Sequence, residues 1–295
     1  MDVRNEGRGV VAIDGRISGL AEATIPVLDR GFLYGDSVYE VVRVYSSNGG
    51  GYPFALAEHL ERLARSAQLI EISLPLSLAA LEVEVRAVIE AAGNGEWYIR
   101  VIVTRGAGPI GLDPALADAP RRVVIVAPLP DLPERLRREG VSVAMVPTGR
   151  NVAGPTPAGA KTGNYLTNVM ALRAAKLRNA FEAVMLDGEG RVTEGTTSNV
   201  FICTGGALRT PPLATGILDG ITRRKVIDLA TRDGIRVLEE HVFPADVVAA
   251  DEVFLTSTLK EVLPVTTVDG SIVGSGRPGP MATSLQARYM ALVKG

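Results

Sequence analysis

Ala183-Val-Met-Leu-Asp-Gly-Glu-Gly-Arg-Val-Thr193 and Val200-Phe-Ile-Cys-Thr-Gly-Gly-Ala-Leu-Arg-Thr210 are two short apolar runs, each folded about a glycine turn. Strand-forming residues on either side of Asp187-Gly-Glu-Gly190 and of Gly205-Gly206 read as two β-hairpins in succession. A chain that sets hairpins among helices, without strict βαβ alternation, builds α+β domains and argues against a doubly wound sheet. No Walker A pattern occurs.

Working outward, 164–179 reads as a helix with Leu166, Val169, Met170 and Leu177 on its inner face, and 141–146 as a strand before it. Between them a Gly/Pro-rich loop from Thr148 to Gly159 leads to Ala158-Gly-Ala-Lys161-Thr-Gly-Asn164-Tyr165. Downstream, Gly220 opens a helix to Arg232, strands follow at 252–256 and 264–268, and a helix at 281–293 ends the sequence. Upstream, Asp14-Gly15 turns a hairpin between 10–13 and 16–18. A strand is expected at 37–45, ending at Asn48-Gly-Gly-Gly51, with Tyr52 to Leu56 returning.

Leu60, Leu63, Ala67 and Ile70 give 57–72 a helical stripe, which leaves His59 and Arg62 on the solvent side. A second helix is expected at 77–92 and strands at 96–104 and 122–127. The stretch 105–122 is rich in Gly, Pro and Asp and has no apolar period; it is a candidate lid or substrate loop, with disorder the alternative. Pro128-Leu-Pro-Asp-Leu-Pro133 is stiff enough to be a linker. The expected organisation is therefore a small domain at 1–127, a linker at 128–134 and a larger domain at 135–295 that carries Lys161.

Composition narrows the function classes. Among 295 residues the formal charge is −2, which leaves no basic footprint for nucleic acid. One cysteine, Cys203, rules out a disulfide framework, and with only two histidines, His59 and His241, a Cys/His zinc site lacks ligands, so no metal is expected. No apolar run spans a membrane and Met1-Asp-Val-Arg-Asn-Glu is not signal-like, so a cytoplasmic protein acting on small metabolites is expected.

Lys161 lies among small neighbours at the mouth of a loop, as a lysine that bonds a carbonyl cofactor requires; a surface lysine before a helix is the alternative. Three other stretches fit a phosphorylated, electron-accepting cofactor. Glu194 follows a strand end and would keep a pyridine nitrogen protonated, or else is a turn acid. Gly216-Ile-Leu-Asp-Gly220-Ile221-Thr222 precedes a helix whose N-terminus would seat phosphate, or is a plain capped helix. Thr256-Ser257-Thr258 would add hydroxyls at a strand end, or is ordinary loop chemistry.

Lys161-Thr-Gly-Asn-Tyr-Leu, Glu194-Gly-Thr-Thr-Ser-Asn-Val-Phe, Gly216-Ile-Leu-Asp-Gly-Ile-Thr-Arg, Gly31-Phe-Leu-Tyr-Gly-Asp-Ser-Val-Tyr-Glu40 and Glu58-His-Leu-Glu-Arg62 all occur. Together they resemble class IV pyridoxal-phosphate aminotransferases, a group that includes branched-chain and D-amino acid aminotransferases and aminodeoxychorismate lyase. The resemblance implies the two-domain D-amino acid aminotransferase-like fold, with pyridoxal 5′-phosphate bonded to Lys161, which also shuttles the proton. It implies Glu194 at the pyridine nitrogen, and Arg62, Ile221, Thr222 and Thr258, with Ser257 beside it, at the phosphate. Tyr165 would lie near the phenolic oxygen. It also implies at least a homodimer, in which a neighbour's loop completes the pocket.

For the substrate, Tyr98 and Arg100 share one face of the strand at 96–104 and Trp97, Ile99, Val101 and Val103 the other. Arg100 is then paired, aimed at a pocket, or solvent-facing. Tyr98-Ile-Arg100 and Arg105-Gly-Ala-Gly-Pro-Ile-Gly resemble the branched-chain pattern, whereas Thr197 and Ser257-Thr258-Leu259 look more like the D-amino acid and lyase branches. Tyr34, Tyr98, Arg100 and Arg105 are the substrate-facing candidates. The expected reaction moves an amino group between a branched-chain or D-amino acid and a 2-oxo acid; aminodeoxychorismate lyase and an (R)-amine transaminase are the alternatives.

Overall fold

A computed structural model describes residues 9–47, 50–150 and 159–294. The N-terminal residues read for targeting, Asn48 and Gly49 of the glycine turn, and residues 151–158 of the loop before Lys161 lie outside the described residues. Chain contacts divide the molecule into two units: one extends to Asp131 and takes in Ala160–Asn164, and the other comprises Leu132–Gly159 and the residues from Tyr165 onward.

In the first unit, β1 (Val10–Ile13) and β2 (Arg16–Gly19) form a hairpin turned by Asp14 and Gly15, both at positive φ. After α1 (Arg30–Tyr34) come β3 (Ser37–Ser47), β4 (Gly50–Pro53), α2 (Leu56–Leu69), α3 (Leu78–Ala92), β5 (Trp97–Thr104) and β6 (Arg121–Pro128). The six strands make an antiparallel sheet in the order β2-β1-β6-β5-β3-β4. β4 is shorter than the return strand expected at 52–56, because Ala55 at φ 56 turns the chain straight into α2.

Alternation along the strands puts Val38, Val42 and Val44 of β3, Ile99, Val101 and Val103 of β5 and Val124 and Val126 of β6 into one core. Leu60 and Leu63 of α2 and Leu81, Val85 and Val88 of α3 join it. Each fully buried aliphatic side chain contributes about 1.5–3 kcal/mol.

The second unit starts with α4 (Glu134–Glu139) and β7 (Val141–Arg150), followed by α5 (Leu166–Leu177), β8 (Glu182–Asp187), β9 (Val192–Gly195), β10 (Asn199–Thr204) and β11 (Ala207–Thr210). It ends with α6 (Ile221–Arg232), β12 (Val237–Glu239), α7 (Pro244–Val248), β13 (Glu252–Ser257), β14 (Glu261–Val268), β15 (Ser271–Ile272) and α8 (Pro280–Lys294). Its sheet runs β12-β11-β10-β13-β14-β7-β8-β9, with β15 on β14. Both expected hairpins, β8–β9 and β10–β11, are antiparallel, whereas β7 is parallel to both of its neighbours. The mixture is α+β, as the hairpin pattern requires.

Three expectations change. His59 and Arg62 are buried, because the α2 face they occupy is met by a buried carboxylate on β3, Glu40. The inner face of α5 is inverted: Ala171 and Ala175 pack on Ala144, Ala183 and Met185, while Leu166 (73%), Val169 (56%) and Leu177 (77%) are exposed and Met170 with them. A sheet face lined with alanines approaches a helix closely only where the helix is small too.

The residues around Lys161, assigned from sequence to the domain at 135–295, go with the first unit. They extend its sheet: Val38 pairs with Thr162, Tyr39 N–H donates to Lys161 O (3.0 Å) and Gly163 N–H to Ser37 O (2.8 Å). Among the described residues no helix is long and apolar enough to cross a membrane.

Candidate active site

In the first unit, Lys161 is tied at both backbone ends. Its N–H donates to Ser66 Oγ of α2 (3.1 Å) and its carbonyl accepts from Tyr39. Its ammonium lies 4.5 Å from the centroid of the Tyr39 ring, and Arg100 places its guanidinium 3.7 Å from the same centroid. Register explains the meeting: Val41 pairs with Arg100 and Arg43 with Tyr98, so Tyr39, Arg100 and Tyr98 share one face of the sheet. Arg100 Nη1 is 3.5 Å from Tyr98 Oη. Two cations and two phenol rings thus surround one spot, a setting for a small anion next to an amine.

On the other face, Glu40 is fully buried and accepts from Arg62 Nε and Nη2 (both 2.7 Å) and from His59 Nδ1 (2.7 Å). Burial raises its carboxyl pKa, but Arg62 first and His59 second outweigh that and hold it at about 2. Burial pushes His59 down, only partly offset by Glu40, so His59 donates from a neutral ring. One edge of Arg62 is therefore fixed by an ionised carboxylate, which orients the guanidinium.

Arg105 is placed differently from Arg100. It donates twice to Asp36 (2.7 and 3.0 Å) and to the carbonyls of Glu71 and Ile70 at the end of α2 (both 2.8 Å). Burial opposes ionisation of Asp36, but Arg105 and then Arg30 lower its pKa. Arg30, itself buried, also donates to the carbonyls of Gly111 (2.8 Å) and Leu112 (3.2 Å), and Tyr34 Oη accepts from Gly111 N–H. Tyr34 and Arg105 thus belong to a brace that fixes the loop between β5 and β6; in place of disorder, this loop presents Ile110 and Leu112 on the surface.

In the second unit, Glu194 lies near the end of β9, and its Oε2 accepts from Leu218 N–H (3.0 Å). Asn199 Nδ2 donates to Leu218 O (2.9 Å), so both sides of Leu218 are held. α6 starts at Ile221 behind Gly220, which supplies no side-chain cap; a Cβ on Gly220 would run into Asn199 Oδ1 and displace the side chain that holds Leu218. The first intrahelical bond runs from Arg224 N–H to Gly220, which leaves the amides of Ile221, Thr222 and Arg223 for another acceptor.

Thr222 is buried, with its hydroxyl 3.5 Å from Tyr289 Oη. On β13, Thr256 pairs with Asn199, and its buried hydroxyl has no hydrogen-bond partner among the described residues. Ser257 accepts from Lys260 N–H (3.2 Å), and Thr258 lies in the turn that follows. Uncapped helix amides and an unsatisfied buried hydroxyl fit a phosphate group. Tyr165 stands at the entry of α5.

The class IV amino-transferase family is matched over residues 37–268. The chain belongs to the class IV aminotransferases. It is 36% identical to the D-alanine aminotransferase of Bacillus licheniformis, over 94% of each chain, and 34% identical to the branched-chain-amino-acid aminotransferase of Pseudomonas aeruginosa, over 97% of this chain and 94% of that one. It superposes on the T.th. branched-chain amino acid aminotransferase at 31% identity, covering 98% of this chain and 95% of that one. The TM-score is 0.92 to that enzyme's structure with pyridoxamine 5′-phosphate and 0.91 to its complex with N-(5′-phosphopyridoxyl)-L-glutamate.

For this class IV aminotransferase, sequence reasoning missed Tyr39, Glu40 and Ser66. A usable signal existed for Glu40. Two-residue alternation on β3 puts it with Val38, Val42 and Val44, and a carboxylate on an apolar face demands a cationic partner. Ser66 carried no signal, since its partner is a backbone amide 95 residues away.

Proposed function

We propose that this class IV aminotransferase uses pyridoxal 5′-phosphate to move an amino group between a branched-chain or small amino acid and a 2-oxo acid. The observation that carries the reading is Lys161, held by Ser66 and Tyr39 with Arg100 stacked on the same ring. Lys161, Glu194, Arg62, Ile221, Thr222, Ser257, Thr258 and Tyr165 would hold the cofactor, and the T.th. enzyme's structures with pyridoxamine 5′-phosphate and phosphopyridoxyl-glutamate support a cofactor of that kind.

When bound, the cofactor supplies an electron sink for the pair left as the substrate Cα–H bond is broken. Lys161 takes that proton on its amine and returns it, so one group serves as base and then as acid. Glu194 keeps a proton on the ring nitrogen. Arg62, oriented by Glu40, and the amides of α6 bind phosphate charge. Arg100, with Tyr98 and Tyr39, binds the substrate carboxylate and leaves the Cα–H near the amine. Arg105 and Tyr34 act indirectly in this reading, because their polar groups brace the β5–β6 loop.

The likeness to D-alanine aminotransferase, at 36% identity against 34% for the Pseudomonas branched-chain enzyme, supports a second reading of the donor. A spectrophotometric half-reaction panel of L-leucine, L-valine, L-isoleucine and D-alanine, followed by 2-oxoglutarate, separates the two. Turnover with the L-branched set supports the first, with D-alanine alone the second, and no donor consumption at all overturns both.

We also propose a homodimer. In the first unit Val27, Phe32, Ile110 and Leu112 are exposed, and the last two stand on a loop that buried Arg30 holds firmly. Exposed aliphatic groups on a braced loop suit insertion into a partner copy. A cytoplasmic location completes the reading, supported by a single, buried cysteine.

A further inference from the structure

Glu182 opens β8 in the second unit, and none of the steps above uses it. Its carboxylate is buried, yet it is among the most heavily bonded groups of the unit. Oε1 accepts from Ser198 Oγ (2.9 Å), Thr197 N–H (3.0 Å) and Thr196 Oγ1 (3.2 Å), whereas Oε2, with no hydrogen-bond donor among the described residues, is balanced by charge alone in an ion pair with Lys260 Nζ at 2.6 Å. Lys260 Nζ also donates to Thr197 Oγ1 (2.5 Å). These partners, with Lys260 first, hold the carboxyl below its ordinary pKa against the burial that would raise it. The chain leaves room for this carboxylate: a Cβ on Gly195 would lie 2.7 Å from Glu182 Oε1 and 2.3 Å from Ser198 Oγ.

The two partners belong to separate pieces of the candidate site. Residues 195–198 run directly from Glu194 to Asn199, the two side chains that grip Leu218 from either side. Lys260 sits in the three-residue turn between Ser257 and Glu261, which pair across β13 and β14, and this turn contains Thr258. The turn is strained and pinned: Glu261 has φ 59, and Arg137 of α4 holds its carboxylate at 2.5 Å while also donating to Lys260 O. A positive φ at a residue with a side chain persists only where the surroundings over-determine it. Burying an ion pair is costly unless the remaining lone pairs are satisfied, and Glu182 Oε1 has three donors here.

We propose that Glu182 and Lys260 are a positioning pair that locks the loop behind Glu194 to the Ser257–Thr258 turn, so that the ring-nitrogen acid and the phosphate hydroxyls are set as one unit. The inference rests on the reading that these residues hold pyridoxal 5′-phosphate. Neither residue contacts the reacting atoms; each acts through the loops it pins.

The test is a double-mutant cycle of Lys260→Met and Glu182→Gln, read by equilibrium dialysis of pyridoxal 5′-phosphate, by the pH titration of the bound cofactor's visible band, and by thermal unfolding of the apoprotein. Each single variant is expected to raise the cofactor Kd about tenfold and to move the band's titration midpoint, with the double variant no worse than the singles. Lys260→Arg should restore much of the affinity. Variants that melt earlier as apoproteins but bind with wild-type Kd and spectrum would show a purely structural pair and overturn the inference, as would simple additivity of the two losses. A wild-type protein that takes up no cofactor defeats the parent reading as well, so the two failures are told apart by the wild-type arm.

Discussion

Lys161 owes its position to backbone pairing. Its amide and carbonyl are both engaged within the first unit, while the side chain faces the Tyr39 ring. Replacing it with alanine should leave the fold intact and lower transamination by at least about 10² to 10⁴-fold, the usual worth of a positioned acid–base group, as measured by single-turnover absorbance.

Glu40 makes a second prediction at this scale. Its carboxyl is held at about 2 against an ordinary 4.5, so the stabilisation it contributes is complete above pH 4.5 and is lost as pH falls toward 2. Glu40→Gln leaves Arg62 buried beside a neutral amide and should cost about 3–5 kcal/mol at neutral pH in urea titrations. The variant's stability should also fall less steeply than the wild type's between pH 4.5 and 2. Equal slopes in that window would contradict the assignment. Arg62 and His59 escaped the helix-period reading because period counts apolar residues only; a cation reads as solvated until its carboxylate partner on another element is known.

Among the elements, α5 shows where sequence pattern and packing part. Leucine, valine and methionine at 166, 169, 170 and 177 form a credible apolar face, yet the sheet beneath is paved with Ala144 and Ala183, which admit only Ala171 and Ala175. Composition of one helix does not reveal the depth of the surface it must meet. Ala175→Leu is therefore expected to overpack this contact at a cost of about 1–3 kcal/mol. Leu177→Ser, on the exposed side, should change monomer stability by no more than about 0.5 kcal/mol. Denaturant midpoints of the two variants check this, and the reverse order would refute the inverted face.

The glycine-turned hairpins were legible, whereas the β13–β14 hairpin, turned without glycine at residues 258–260, was not. Asp14-Gly15, Asp187-Gly-Glu-Gly190 and Gly205-Gly206 all turn antiparallel pairs, because turn chemistry is local and needs no knowledge of the rest of the fold. Short α1, α4, α7 and β12 carried too few residues to show a period.

For the whole molecule, each unit has a core of its own, and the chain crosses between them more than once because residues 160–164 join the first unit's sheet. That return was invisible from a single linear boundary, since it depends on strand pairing between Thr162 and Val38. Assembly adds a prediction at this scale: Ile110→Asp with Leu112→Asp should weaken self-association by at least about a hundredfold in sedimentation experiments while leaving the thermal unfolding of the subunit unchanged. An unaltered dimer would remove the β5–β6 loop from the interface.

Attachment of pyridoxal 5′-phosphate to Lys161 can be read out by borohydride reduction of the cofactor-loaded protein followed by peptide mass mapping. One phosphopyridoxyl group per chain, on Lys161, is the predicted result; no label, or label on Lys260 or another lysine with Lys161 unmodified, would contradict it.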